Sequence, residues 1–446
     1  MLTRLRVRGF KNLLDVDVRF GPFTCFVGEN GAGKSNLFDV INFLRLLMDA
    51  PVHEAFARTR EVQGRAADVN SMFTSFGDFR APEVRITADM LLEREVEDDF
   101  GTGASACISS VRYEIAFRPD EDQPAGVVLD HESLQPTRIA EARQLGFDAS
   151  SDFKTSAVSG RRAGGPFLST KDGAAHVHQE GHQGRGRQVP LTRTSRPIIQ
   201  SATAEFPTLL AARREMQGWK TLMLEPTAMR APSEYAGPQR IDQRGAHLAG
   251  ALQRLHKGAG AAAYSEIANR LAELLPEVRE VRVVDDPRFQ TYTVQVRGPD
   301  GTFHPARALS DGTLRFLVLT TLLEDPEARG TLCLEEPENG IHPDRVRPMV
   351  RLLRDFAVDP ARPVDGDNPL RQVVVNTHSP LVFKEVDSSD VVFLESAERA
   401  EGRGHVAIVE APGGSWRAKY TRHVRPARLR QWEQIEFDFE ADAAEE

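Results

Sequence analysis

The sequence has few cysteines and no long apolar run. Its three cysteines, Cys25, Cys107 and Cys333, are scattered, and none forms a Cys-x-x-Cys or Cys/His pair with metal-ligand spacing. An odd number of cysteines does not suggest a disulfide framework. Cys25 and Cys333 lie in apolar runs, which favour buried thiols. No run reaches the roughly 18 apolar residues of a membrane span, and the first residues, MLTRLRVRGF, contain no signal-peptide core. We therefore expect a cytoplasmic protein without a membrane segment.

Positive charge and aromatic residues are also limited. The net charge of −9 argues against a protein that coats nucleic acid through bulk charge, although it is compatible with a local basic patch. Aromatic residues make up 7% and apolar residues 40% of the chain, which is typical of a soluble α/β protein. The length of 446 residues is sufficient for one core with a large insertion.

The hydrophobic pattern changes along the chain. Alternation predicts half-buried strands in LTRLRVRGF and LLDVDVRF, and the nearly all-apolar FTCFVG predicts a strand buried on both faces. Further on, DASSDFKTSAVSGRRAGG indicates loop or disorder, while Asp172-Gly173 indicates a hairpin. Residues 205–275 have amphipathic helical texture, and strands return after them with a second hairpin signal at Asp300-Gly301.

Residues 28–35 read GENGAGKS and match the phosphate-loop pattern G-x-x-x-x-G-K-[ST], between the buried strand and a predicted helix. Glycines let the backbone wrap around a phosphate, and a helix N-terminus attracts an anion. We expect Lys34 to reach the β- and γ-phosphates of a nucleotide and Ser35 to ligate Mg²⁺. The predicted nucleotide-binding residues of this loop are Gly28, Glu29, Asn30, Gly31, Ala32, Gly33, Lys34, Ser35 and Asn36.

A second stretch, TLCLEEPENGIHP at 331–343, is a predicted buried strand that ends in carboxylates. Open α/β sheets bind their ligands at the carboxyl ends of the strands. Hydrolysis of a phosphoanhydride needs one acid beside the metal and one beside the attacking water. We assign Glu335 to the Mg²⁺ shell and Glu336 to the water, whereas a Glu-Glu pair on its own is more often an ordinary strand end.

Two smaller motifs accompany these stretches. LSDGTLRFL (309–317) places Ser310, Asp311 and Gly312 at the start of a predicted helix, as an anion site or as a simple helix cap. VVVNTHSPLVF (373–383) places His378 just after a buried strand, either within reach of a γ-phosphate or in a structural role. The four motifs follow in the order phosphate loop, LSDG, EEPEN and NTHS.

This order of motifs resembles the ABC-type ATPase heads of the SMC-like, RecF-like and OLD-like group. EEPENGIHP, NTHSP and the stretch LMLEPTAMRAPS…RGAHLAGALQRL are similar to those of stand-alone bacterial AAA-family ATPases that lack a Toprim domain. The resemblance covers residues 1–50 and 205–395. It implies an α/β fold, namely an ABC-type P-loop NTPase head with a mixed sheet, an antiparallel β-subdomain and an inserted helical/β lobe.

The resemblance also implies how the chain is divided. Residues 1–118 are then the N-terminal part of the ATP-binding head, and residues 281–446 are its C-terminal part with an acidic tail. Residues 119–280 form the inserted lobe, with a basic loop and hairpin at 119–204 and a helical portion at 205–280.

The same resemblance implies ATP and Mg²⁺ as cofactors, and no N-K-x-D motif for guanine occurs. Lys34, Glu336 and His378 are then catalytic. Two heads form a homodimer that sandwiches ATP, and Ser310 and Gly312 act on the nucleotide of the other subunit. LSDGT stands where transporter subunits have LSGGQ, and Gln63 is only a weak candidate for the Q-loop glutamine, so the coupling route stays open.

Two weaker patterns lie in the insert. Residues 154–196, which we call the basic insert, contain eight Lys/Arg and two Asp/Glu. They are either a solvated loop or a contact for nucleic acid phosphates or an acidic partner. His176, His178 and His182 lack a fourth metal ligand, which favours a solvated loop over a metal site.

Four functions remain to be weighed. The first is an ATPase that switches a protein effector encoded nearby, in phage defence or stress, because the residues after NTHS contain no D-x-D and no room for a Toprim domain. The alternative is a RecF-like or SMC-like DNA-repair ATPase whose basic insert contacts DNA, although long heptad arms are missing. The large insert and LSDGT disfavour a transporter motor. The intact Glu336 argues against a non-enzymatic scaffold.

Overall fold

The computed structural model describes residues 1–59, 69–120, 126–162, 164–180, 186–191, 194–398 and 405–421. The strands, in chain order, are β1 (Leu2–Phe10), β2 (Leu13–Arg19), β3 (Phe23–Val27), β4 (Ser75–Phe76), β5 (Phe79–Arg80), β6 (Val84–Leu91), β7 (Glu95–Glu97), β8 (Gly103–Ser105), β9 (Ser110–Pro119), β10 (Val127–Pro136), β11 (Leu168–Lys171), β12 (Ala174–Val177), β13 (Arg187–Pro190), β14 (Lys220–Leu222), β15 (Ser233–Glu234), β16 (Glu280–Asp286), β17 (Thr291–Arg297), β18 (Phe303–Pro305), β19 (Gly330–Glu335), β20 (Arg371–Thr377), β21 (Val391–Glu398) and β22 (His405–Glu410).

The α-helices are α1 (Lys34–Leu47), α2 (Val52–Arg58), α3 (Ile139–Ala142), α4 (Ser151–Ala157), α5 (Pro207–Gln217), α6 (Pro226–Arg230), α7 (Leu248–Ala259), α8 (Ala261–Leu274), α9 (Asp311–Leu323), α10 (Val346–Phe356) and α11 (Pro380–Glu385). Short 3₁₀ turns occur at Val69–Met72, Ile198–Ser201, Ala306–Ala308, Pro343–Arg345, Ser388–Asp390 and Trp416–Lys419.

A six-stranded sheet forms the centre of the head, in the order β14-β19-β20-β3-β21-β22. Its first five strands pair in parallel, and β22 is antiparallel to β21. Alternate residues of β3 enter different cores, because Phe26 faces the core that contains α1 while Cys25 and Val27 face the core that contains α9 and α10. Coverage on both faces explains why these strands read as continuous apolar runs.

An antiparallel sheet lies on the α1 side of the head, in the order β13-β12-β11-β10-β9-β6-β1-β2. Its inward side chains share one core with α1 and α5. Strands β10–β13 come from residues 119–204 and extend the sheet that β1, β2, β6 and β9 begin. A smaller sheet of β15, β17, β16 and β18 packs with α7 and α8.

The predicted strands β1, β2 and β3 and the helix after the phosphate loop are confirmed, as are both hairpins. At the first turn Asp172 and Gly173 have φ of 52° and 71°, the left-handed values that an Asp-Gly turn requires. Cys25 and Cys333 are fully buried, as expected, and burial raises the pKa of both thiols.

One local prediction was wrong. The segment expected to be loop or disorder contains α4, whose N-cap Ser150 accepts a hydrogen bond from the Phe153 N–H at 3.0 Å. Phe153 is buried against Phe147, so tertiary packing stabilises this short helix in a polar sequence. The helical texture of residues 205–275 is confirmed by α5, α6, α7 and α8. The region also contains the edge strands β14 and β15, which are too short to give a period of their own.

The fold is α/β, with a mixed sheet carrying the phosphate loop and an antiparallel β-subdomain beside it. The division into head parts and inserted lobe stays a prediction. The acidic C-terminal stretch lies outside the described residues.

Candidate nucleotide-binding site

The phosphate loop connects the end of β3 to the start of α1 at Lys34. Gly31 and Gly33 have φ of 82° and 105°, a conformation that residues with a side chain rarely adopt. A Cβ at Gly33 would lie only 2.9 Å from both Asn12 Oδ1 and the Ala407 Cβ, so the loop requires glycine there. The loop backbone thus wraps in front of a helix N-terminus, which is the geometry of a phosphate site.

The Lys34 ammonium lies inside this loop. It donates hydrogen bonds to the carbonyl oxygens of Gly28 and Glu29, the latter at 2.8 Å. Burial lowers the pKa of Lys34, and the negative charges of Glu336, Glu29 and Glu338 oppose that shift. The EEPEN carboxylates therefore act on the lysine of the phosphate loop, although the two stretches lie far apart in the sequence.

Strand β20 explains how these stretches meet. It lies between β3 and β19 and pairs in parallel with both. The register sets Asn376 opposite Glu335 and Thr377 opposite Val27. Because the carboxyl ends of parallel strands share one edge, the phosphate loop, Glu335 and His378 all leave the sheet on the same side.

Glu336 is held at this edge by both its backbone and its side chain. Its φ of 44° is in the left-handed region, and its N–H donates to the carbonyl oxygen and to Oδ1 of Asn376 at 3.0 and 3.2 Å. Its Oε2 accepts from Asn339 Nδ2 at 2.7 Å, and its Oε1 accepts from His378 Nδ1 at 2.9 Å. The side chain is 34% exposed, so this oriented carboxylate is also accessible to water.

His378 follows the last residue of β20. A carboxylate can only accept, so the contact with Glu336 requires the proton on Nδ1. The ring is 47% exposed, which leaves Nε2 for a ligand at the sheet edge. The structure thus brings together His378, Glu336 and the phosphate loop, as the order of motifs predicts.

The residues assigned to Mg²⁺ provide suitable donors. Glu335 is the last residue of β19, and Ser35 lies in the first turn of α1. Carboxylate and hydroxyl oxygens are hard ligands of the kind that Mg²⁺ prefers alongside substrate phosphates. The donor set therefore fits the ion.

The LSDG segment lies elsewhere on the head. Ser310 is the N-cap of α9, and its Oγ accepts from the Thr313 N–H at 3.1 Å. Asp311 pairs with Arg230 at 2.6 Å. Ser310 and Gly312 line a groove of about 440 Å³ whose described lining includes no residue of the phosphate loop. Within one chain, the groove and the phosphate loop are therefore separate surfaces.

Sequence reasoning missed the turn between β1 and β2. Asn12 Nδ2 donates to the Gly31 carbonyl oxygen at 3.3 Å, and Asn12 Oδ1 accepts from Asn36 Nδ2 at 2.8 Å. Beside it, Lys11 has a φ of 49° and forms an ion pair with Asp39 of α1 at 2.6 Å. The available signal was the pair of adjacent polar residues, Lys11 and Asn12, between the two predicted strands.

Sequence reasoning also missed a third carboxylate, Glu338. Its Oε1 accepts from the Thr377 hydroxyl, and Thr377 Oγ1 accepts from the Ser379 N–H at 2.9 Å. Burial raises the pKa of Glu338. The spacing E-x-E in EEPEN was the available signal.

The weaker patterns do not join this site. His176 lies in β12, and His178 is 2.8 Å from Ser169 Oγ, while His182 lies outside the described residues. No group of three metal-ligating side chains occurs in the described part of the chain. Gln63 likewise falls outside the described ranges.

The basic insert has both exposed and engaged cations. Arg161, Lys171 and Arg187 are exposed. The Arg162 guanidinium instead stacks on Phe167 and donates to nearby carbonyl oxygens.

No described helix is long and apolar enough to cross a membrane.

Known proteins share this sequence pattern. Residues 23–384 match the family described as "AAA domain, putative AbiEii toxin, Type IV TA system". An OLD nuclease of Thermus scotoductus is 46% identical over 411 residues, which are 90% of this chain and 62% of that protein. This chain therefore spans less than two thirds of that relative. A DNA replication and repair protein RecF of Parabacteroides distasonis is 47% identical over 45 residues, 10% of this chain and 12% of that protein.

Solved SMC heads give weak structural matches. The SMC head bound to the C-winged helix domain of ScpA has a TM-score of 0.49 at 13% identity, covering 91% of this chain and 98% of that one. The SMC head domain from Thermotoga maritima has a TM-score of 0.39 at 12% identity, covering 92% and 97%. Similarity at this level says nothing about function.

The phosphate loop, the carboxylates at and just after the end of β19, and the parallel strand β20 between β19 and β3 define a P-loop NTPase with the motif set of an ABC-type ATPase head. The chain belongs to the family "AAA domain, putative AbiEii toxin, Type IV TA system", and its head is of the SMC-like, RecF-like and OLD-like group.

Proposed function

We propose that the protein binds ATP with Mg²⁺ at this sheet edge and hydrolyses it to ADP and phosphate. The observation that supports this most directly is the oriented carboxylate of Glu336, held by His378 and Asn339 beside the buried Lys34. A carboxylate that is fixed at one end and open to water can accept a proton from a nucleophilic water.

The residues divide the reaction between them. The loop amides and Lys34 bind the phosphates, while Ser35 and Glu335 hold Mg²⁺, which neutralises phosphate charge. Glu336 takes the proton as the water oxygen attacks the γ-phosphorus and the bond to the β-γ bridging oxygen breaks. His378 orients Glu336 through Nδ1 and presents Nε2 towards the γ-phosphate. ADP leaves with that bridging oxygen.

A second subunit completes the site in this proposal. Ser310 and Gly312 lie at the N-terminus of α9 and line a groove that is separate from the phosphate loop of the same chain. A helix N-terminus stabilises an anion, so an ATP held by a partner head fits this groove. Binding of ATP then brings two heads together as a homodimer, and hydrolysis separates them.

We further propose that this cycle acts as a cytoplasmic switch for a separately encoded protein effector, in defence or stress. Its support is the family description, which names a putative toxin of a type IV toxin–antitoxin system, together with the 46% identity to an OLD nuclease over 90% of this chain.

The alternative is a DNA-repair ATPase that contacts DNA directly. Two observations favour it, namely the exposed cations Arg161, Lys171 and Arg187 and the short similarity to a RecF protein named for DNA replication and repair. In that case the basic insert binds phosphates of the DNA backbone.

Phosphate release from Mg-ATP by the purified chain tests the central proposal. We expect turnover that depends on Mg²⁺ and stops with EDTA, and thermal stabilisation of the protein by Mg-ATP. Absence of both phosphate release and stabilisation contradicts the proposal. Addition of duplex DNA or of the candidate effector then separates the two roles, because only the productive partner changes the rate.

A further inference from the structure

Glu338 braces the turn that carries His378. Its Oε1 accepts from the hydroxyl of Thr377, which in turn accepts from the Ser379 N–H. The residues on both sides of His378 are therefore held by one acidic side chain from the loop after β19. Glu336 contacts His378 itself, so the loop holds this turn at two points.

The second oxygen of Glu338 has no such contact. Oε2 is buried, and no hydrogen-bond partner for it occurs among the described residues. A buried carboxylate oxygen without a partner costs free energy, so its persistence points to a state in which it is paired.

A second buried polar atom without a described hydrogen-bond partner lies on α9. Arg315 Nε is also buried and has no hydrogen-bond partner within the described ranges, whereas Nη2 of the same guanidinium donates to the Leu224 carbonyl oxygen at 3.0 Å. The negative charges of Asp311 and, to a smaller extent, of Glu338 act on this guanidinium. A buried donor and a buried acceptor of opposite charge thus lie within electrostatic range without a hydrogen bond.

Only a short turn separates the two side chains. A Cβ placed on Gly340 would be 4.0 Å from Arg315 Nε, and one placed on Gly312 would be 3.1 Å from the Gly340 carbonyl oxygen. The first turn of α9, with Ser310 at its cap, therefore packs on the loop that carries Glu338. A small shift of α9 changes the distance between Arg315 and Glu338.

We propose that Glu338 is a positioning residue for His378 and Glu336, and that Arg315 binds its free oxygen when ATP engages the Ser310 end of α9. This inference rests on the proposed function and supplies a candidate for the coupling route that the sequence leaves open. In the free head, Glu338 holds the turn through Thr377 alone. Engagement of α9 adds the guanidinium, fixes the carboxylate and fixes His378 against Glu336.

A double-mutant cycle tests the pair. Glu338→Gln keeps an oxygen for Thr377 and removes the charge, and Arg315→Gln removes the cation. We expect each to lower kcat about tenfold with KM for ATP unchanged, and the double variant to lose no more than either single variant. The matched control is Arg347→Gln, an exposed arginine of α10 whose effect we expect to be nil alone and additive with Glu338→Gln. Additive losses from Arg315→Gln and Glu338→Gln contradict the coupling.

The hydrogen bond by which Glu338 holds the His378 turn is tested separately at Thr377. Thr377→Val keeps the shape and removes the hydroxyl, so we expect kcat to fall about tenfold without a change in KM, and Thr377→Ser to restore it. If the Thr377 hydroxyl has only a structural role, Thr377→Val and Thr377→Ser should both have a lower melting temperature and should lose kcat equally. If Thr377→Val turns over as the parent does, Glu338 does not position His378.

The parent protein separates the two levels of inference. If it neither binds nor hydrolyses ATP, the proposed function fails. If it hydrolyses ATP and Glu338→Gln keeps the parental kcat while remaining folded by its melting temperature, only the positioning role of Glu338 is overturned. A fluorescent ATP analogue serves as the binding probe, and we expect it to bind every folded variant with parental affinity.

Discussion

His378 Nδ1 lies 2.9 Å from Glu336 Oε1 across the ends of two neighbouring parallel strands. Glu336 adopts a left-handed φ of 44° and is held there by Asn376 through its backbone N–H. Such a conformation costs free energy in a residue with a side chain, and strained residues of this kind cluster at functional sites. In this conformation the Glu336 carboxylate contacts His378.

The first prediction concerns this carboxylate. Glu336→Gln should keep ATP binding and lower kcat by about a hundredfold or more, because the amide cannot accept the proton of the attacking water. The same variant should accumulate as an ATP-bound dimer, measurable by size-exclusion chromatography with light scattering. Parental turnover in this variant would exclude Glu336 as the base.

The second prediction concerns Lys34, whose ammonium lies inside the phosphate loop. Lys34→Ala should weaken nucleotide binding itself, seen as loss of the thermal shift that Mg-ATP gives the parent. Lys257→Ala is the matched control, since Lys257 is an exposed lysine of α7, and it should retain the full shift. A full shift in Lys34→Ala would remove this lysine from the site.

The third prediction tests the composite site. Ser310→Arg should abolish turnover and leave ATP binding nearly intact, because the groove of Ser310 contains no residue of the phosphate loop among those described. Mixed with Lys34→Ala, it should recover part of the activity, since a mixed dimer has one site with both defects and one with neither. If both variants dimerise and mixing them restores no ATPase activity, the head-to-tail ATP sandwich is contradicted.

The sequence was sufficient to predict the residues of the sheet edge but not the contacts between them. Lys34, Ser35, Glu335 and Glu336 follow patterns that strand and helix context makes specific, and the fold class followed from the same motifs. The role of Asn12 could not be predicted, because it depends on a tertiary contact. The turn that contains Asn12 reaches the phosphate loop only after β1 and β3 have joined different sheets.

Short elements were missed for a related physical reason. Local propensity in α4 is weak, and the helix persists through the Ser150 cap and the burial of Phe153. The three residues of β14 are held by pairing with β19 and not by any pattern of their own. In both cases tertiary contacts decide the structure, and a single sequence does not reveal them.

The fourth prediction concerns Glu132, a fully buried carboxyl of β10. It accepts hydrogen bonds from the N–H groups of Ile198 and Ile199 at 2.6 and 3.0 Å and from the Tyr113 hydroxyl at 3.1 Å. Burial raises the pKa of Glu132 from 4.5 to about 7. The folded state therefore binds this proton more tightly than the unfolded state, so the stability it contributes is full below pH 4.5 and is lost as pH rises through about 7.

Melting temperatures of the parent and Glu132→Gln measure this effect. The advantage of the parent over the variant should be larger at pH 5 than at pH 8, since the amide does not titrate. Glu266→Gln, at an exposed position of α8, controls for general effects and should show no such dependence. An advantage that grows with pH would mean that the buried group keeps a low pKa.

The last prediction concerns the basic insert and decides between the two proposed roles. If the insert binds DNA, replacing Lys171, Arg185, Arg187 and Arg193 with Ser should flatten the slope of log affinity against log salt by up to about 3–4 units. Arg196 is left in place because its guanidinium donates to the Asp49 carbonyl oxygen and to Gln200. Basal ATPase activity should stay at the parental rate.

A matched variant replaces four exposed arginines outside the insert, Arg240, Arg279, Arg288 and Arg351, and should keep the parental salt slope. Both variants lose the same charge, so a difference between them reports the position of the contact and not the net charge of −9. If both bind duplex DNA as the parent does, or if none binds at low salt, direct DNA binding by the insert is contradicted. The exposed cations would then be available for an acidic face of a protein partner, and the effector switch would be the better supported role.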